Sequence, residues 1–125
     1  MKKKVITICG KEVTLAYCYA TEIAFHGYTG QDFTAFINES FTQKKVSPNN
    51  VMYAILTAVM AYYEHNNEEP PIVDKDLMFN AEPAEIQAAF LAVTELYREW
   101  YKLPAGEPED KAEDPKKTTR RRGKN

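Results

Sequence analysis

Cysteine and histidine are scarce in this chain, with two of each among 125 residues. Cys9 and Cys18 cannot build a disulfide framework, and no CxxC spacing is present to suit zinc or thiol–disulfide exchange. They read as small buried or half-buried thiols in a reducing compartment. His26 and His65 lie far apart, and neither has a Cys, Asp or Glu at a ligand spacing such as HExxH, so no metal site is expected. Glycine is also sparse, at five residues, and no GxxxxGK[ST] or GxGxxG loop can cradle a phosphate. Ser40 and Ser47 have no accompanying base for nucleophilic work. The carboxylates Glu82, Glu85, Glu95 and Glu99 read as the solvated side of one helix rather than as a paired acid and base. These absences exclude every familiar catalytic constellation and imply no cofactor.

Long hydrophobic runs are missing too. The longest stretches from Val51 to Tyr63, broken only by Thr57. A membrane span needs about 20 apolar residues, so no membrane partner is expected. At the N-terminus, Lys2, Lys3 and Lys4 precede an apolar run of only about five residues. A secretory signal needs roughly 7–15, and the expected location is therefore cytoplasmic.

What is present is aromatic: eight Tyr, six Phe and one Trp, nearly all before residue 104. Val5-Ile6-Thr7-Ile8-Cys9 and Glu12-Val13-Thr14-Leu15 alternate about Gly10-Lys11 and predict a β-hairpin. A turn centred there pairs Cys9 with Glu12, Ile8 with Val13 and Ile6 with Leu15, burying Ile6, Ile8, Val13 and Leu15 on one face. A lone hairpin is unstable in water, so it must lie on a helix or pair across a dimer.

Thr21 fits the N-cap of a first helix reaching Tyr28, with Ile23, Ala24 and Gly27 as its core stripe and Gly30 as its stop. Gln31-Asp32 opens a second helix, whose Phe33, Phe36, Ile37 and Phe41 share one face. Ser47-Pro48 is a capping serine followed by proline at the first helical position. The helix that follows, to about His65, is apolar almost all round, the mark of an element buried on several sides. Asp74 to Phe79 predicts a short helix with Leu77 and Met78 inward. A last helix from Glu82-Pro83 to Lys102 carries a stripe of Ile86, Phe90, Val93, Tyr97 and Trp100. The expected fold is thus mainly α (α+β): an N-terminal hairpin packed on four to five helices, spanning residues 1–103.

Residues 104–125 hold five acids, seven bases and almost nothing apolar, which predicts a disordered, charged tail. Lys116, Lys117, Arg120, Arg121, Arg122 and Lys124 could neutralise phosphates. No interleaved aromatic is present to stack on bases, and an acidic block stands beside them. Tethering or solubilising is the first reading of this tail, and nucleic-acid contact the second.

The central helix is the stronger clue. It is either simply the core of the domain or also one wall of an apolar surface for a partner helix or a second copy. If the latter, Tyr53, Met60 and Tyr63, with Met52 and Leu56, are the candidate partner-binding residues, since Met and Tyr adapt to such surfaces.

The order of parts resembles a known family. A hairpin with a Gly10-Lys11-Glu12 turn leads into a short helix closed by Tyr28-Thr29-Gly30 and followed at once by Asp32-Phe33. A Ser47-Pro48-started apolar helix, an acidic proline-containing loop and a long last helix complete the pattern. This resembles the tail assembly chaperones of long-tailed phages and prophages over roughly residues 3–103. The resemblance implies a non-enzymatic, self-associating protein of the bacterial host cytoplasm that coats the hydrophobic, helical tape measure protein and recruits tail tube subunits. In many members a frameshift adds a second domain. Two other classes stay open: a small adaptor binding nucleic acid through its basic tail, and another phage structural subunit such as a head–tail connector or tail-completion protein.

Overall fold

The structure, a computed structural model, describes residues 1–44 and 46–103. The charged tail expected from residue 104 lies outside the described residues. Within them the order is β1 (Lys3–Ile8), β2 (Lys11–Ala16), α1 (Tyr19–Thr29), α2 (Phe33–Thr42), α3 (Pro48–His65), α4 (Asp74–Phe79) and α5 (Pro83–Tyr101). The hairpin-plus-helices architecture is as the sequence pattern predicts.

α3 is the axis of the domain. Ser47 Oγ accepts from the Asn50 N–H at 3.4 Å, and Pro48 opens the first turn. From Val51 to Tyr63 nearly every side chain is buried or half-buried, because β2, α1, α4 and α5 all pack on it. Around it stands a cluster of rings: Tyr17, Phe25, Phe33, Phe36 and Tyr97 meet edge-on or tilted at centroid distances of 5.0–6.1 Å. Such geometry adds to area burial through the ring quadrupoles.

β1 and β2 pair antiparallel, and Ile6, Ile8, Val13 and Leu15 do share the inward face. The register differs from the expected one by two residues: Ile8 faces Lys11 and Ile6 faces Val13. The loop is Cys9-Gly10, with positive φ at both residues, 55° and 74°. Positive φ at both loop positions is the mark of a type I′ turn, which follows the strand twist. A carboxylate from far along the chain steadies the cysteine there. Glu85 Oε1 accepts from the Cys9 N–H at 3.1 Å and from the Glu82 N–H at 3.0 Å. Glu85 is therefore a clamp between the hairpin tip and the start of α5, not a member of a solvated face.

Other expectations need correcting at the helix ends and faces. α1 begins at Tyr19, and Thr21 is not its N-cap: it is buried in the first turn, where its Oγ1 accepts from the Cys18 N–H at 3.2 Å. This turns the helix so that Phe25 enters the core while Ile23 is 70% exposed. In α4, Leu77 is buried but Met78 is 52% exposed, since only one face of a six-residue helix can meet α3. In α5, Trp100 leaves the stripe and is 42% exposed, while Ala89, Ala92, Val93, Leu96 and Tyr97 form the buried face. Gly30 stops α1 in the left-handed conformation, as expected.

Two contacts lend themselves to measurement. Tyr63 Oη accepts from the Thr14 N–H at 3.2 Å, covering a part-buried strand donor. Tyr63→Phe leaves that donor without its partner and should cost about 1 kcal/mol in denaturant unfolding. Glu85 is held below the usual carboxylate range, first by the Glu82 N–H and then by that of Cys9. A depressed folded-state value means that the unfolded chain binds the proton more readily. The clamp's contribution is therefore complete above the ordinary value of 4.5 and is lost as pH falls through the lower folded value. Glu85→Gln, which keeps an acceptor but cannot titrate, should flatten the fall in stability below pH 4.5; an unchanged slope would refute this.

Candidate partner-binding surface

Chemically capable side chains are dispersed. His26 and His65 are exposed on α1 and α3. Among the described residues no group of three or more His, Cys, Asp or Glu is placed to hold a metal ion. Both cysteines are free, and the Cys9 thiol is pushed up, chiefly by burial and then by Glu85 and Asp76.

Among the described residues, a polar network with strongly displaced groups joins α1 to α5. The hydroxyl of buried Tyr17 donates to Glu22 Oε2 at 2.8 Å, and the Tyr101 hydroxyl donates to the same oxygen. Burial, then Glu22, pushes the Tyr17 phenol far above its ordinary range; for Tyr101 the bond to Glu22 leads. Phenols displaced upward stay protonated and serve as donors, the opposite of an activated nucleophile or base. The network is a clasp on the end of α5.

Apolar surface is where the fold is unusual. α4 lies across α3, and an open channel remains on either side of it. The larger, about 550 Å³, runs between the first turns of α3, α4 and the start of α5. Its walls include Val46, Met52, Leu77, Met78 and Ile86, and none of the described residues lining it is charged. It continues toward Ala81, Pro83 and Phe90 in a shallower stretch of about 400 Å³. Phe79, 78% exposed, follows Met78 at the end of α4. The smaller cleft, about 300 Å³, is bounded by Tyr28, Tyr53, Leu56, Met60, Ile72 and Asp74. Tyr28 and Tyr53 stack there with centroids 4.7 Å apart and planes within 10°. Met60 Sδ lies 4.0 Å from the Tyr28 hydroxyl.

The five residues singled out on the central helix are thus divided. Met52 is half-buried in the larger channel, and Tyr53 and Met60, also half-buried, meet in the smaller cleft. Leu56 is buried and forms part of the cleft floor. Tyr63 is buried under the hairpin. Val46, Ile86 and Tyr28 were not singled out. Val46 had a local signal, as an apolar residue just ahead of a helix cap. Tyr28 had none, because its partner stands 25 positions away in another helix.

A second group of exposed apolar side chains, Tyr19, Ile23, Trp100 and Tyr101, lies on α1 and the end of α5. Among the described residues no helix is long and apolar enough to cross a membrane. A scan against protein-family models and searches of curated proteins and of solved structures find no match to this chain.

The larger channel makes a simple prediction. Met78→Ser with Phe79→Ser, both at exposed positions, should leave unfolding free energy within about 0.5 kcal/mol. The pair should markedly reduce the fluorescence of a hydrophobic dye that binds the native protein; unchanged fluorescence would place the accessible apolar surface elsewhere.

Proposed function

We propose that this chain is a non-catalytic tail assembly chaperone of a long-tailed phage or prophage, acting in the host cytoplasm. It binds the hydrophobic, helical tape measure protein and keeps it in solution until the tail tube is built around it. The observation that carries the reading is the channel along α3, whose described walls, Met52, Leu77, Met78 and Ile86 among them, bear no charge. A volume of about 550 Å³ falls in the usual range for a binding cleft. With no charged group among its described lining residues, it suits apolar side chains projecting from one face of a helix. Two methionines let the walls adjust to a client whose apolar residues vary along its length. The resemblance in the order of elements supports the same reading.

The reading is tested by co-expression with a long, aggregation-prone tape measure protein. A soluble complex is expected to elute on size exclusion, and Met52→Asp, which places a charge in the channel, should return the client to the insoluble fraction. A client that remains insoluble beside the unaltered chaperone refutes the proposal.

A further inference from the structure

The smaller cleft differs from the channel in one respect: it carries charge. We infer that the cleft at Tyr28 and Tyr53 takes a lysine or arginine side chain of the client helix, so that the segments this chain holds bear cations beside their apolar stripe. This inference rests on the client-binding reading above.

Leu56 and Met60 give the cleft an apolar floor that can cover the methylene stem of a long basic side chain. The stacked Tyr28–Tyr53 pair offers ring faces, and Tyr28 is 49% exposed. A guanidinium or ammonium is drawn to such faces by the ring quadrupole. Asp74 lines the same cleft. Its Oδ1 accepts from the Lys75 N–H at 2.9 Å. Glu68 and Glu69, both exposed, directly precede the lining Pro70, and exposed Glu64 follows Met60 by one helical turn.

Among the described residues none of these four acids has an ion-pair partner within 4 Å. Among the described residues two cations adjoin these acids: Lys11, whose ammonium donates to the Pro71 carbonyl at 3.2 Å, and Lys75 beside Asp74. Acids outnumber them, and the local field favours a positive partner. An acidic or purely apolar client would bury Asp74 without compensation, which is costly.

Two helical peptides of about 18 residues with one Leu/Met stripe, flanked by Lys in one and by Glu in the other, provide the probe. Each is titrated into the full chain by fluorescence anisotropy. The Lys peptide should bind about tenfold more tightly at low salt, and the gap should close near 1 M salt. Asp74→Asn combined with Glu68→Gln and Glu69→Gln should remove most of the gap, whereas Glu39→Gln with Glu99→Gln, which removes negative charge elsewhere, should keep it. Equal affinities, a preference for the Glu peptide, or a gap that moves equally with both variants overturns this inference alone. Failure of both peptides to bind overturns the client-binding reading and this inference with it.

Discussion

α3 is an 18-residue helix with apolar or half-buried side chains on nearly all sides, and such a helix has no stable place in water alone. Each neighbouring element is arranged to cover part of it. β2 lies along one side, with Tyr63 supplying a hydrogen bond to the strand as well as a ring to the core. α1 and α5 take two more sides. The fourth is left to α4, six residues long. At about 1.5 Å per residue, α4 is a third the length of the helix it crosses. Channels on either side of α4 are the direct consequence.

The cover is held by a few long-range polar contacts laid over a broad aromatic core. Glu85 ties the hairpin tip to α5, Glu22 ties the end of α5 to α1, and Asn50 ties α3 to Gln31 at 2.8 Å. Each joins elements distant in sequence, and each uses a charged or amide group where rings alone would leave orientation loosely fixed. Tyr17 serves both systems, since its ring packs on Phe33 and Tyr97 while its hydroxyl reaches Glu22.

The proposed chaperone role follows from incomplete cover rather than from any single residue. Met52 and Met78 face one channel, and Tyr53 and Met60 the other. The two differ in character among the described residues, one with apolar and uncharged walls and one bearing Asp74, so a helix lying across α4 would meet an apolar wall and then an acidic aromatic one.

Local chemistry alone determined much of this. Ser47-Pro48 starts α3, Gly30 ends α1 with the positive φ that glycine readily adopts, and the alternation of Ile6, Ile8, Val13 and Leu15 fixes which hairpin face is buried. These features depend on neighbours within a few residues. The tertiary structure decided the rest. A slip of two residues preserves both hairpin faces, so alternation could not choose between registers, and the Cys9-Gly10 loop is fixed partly by Glu85, 76 positions away. Helical spacing placed Ile23 and Trp100 on plausible stripes. Which stripe turns inward depends on how α1 and α5 seat against the ring cluster. The candidate site divides in the same way: that α3 is apolar all round, and that Met52 and Tyr53 diverge by about 100° around it, is legible in its residues, but which clefts they enter depends on where α4, from elsewhere in the chain, packs against α3.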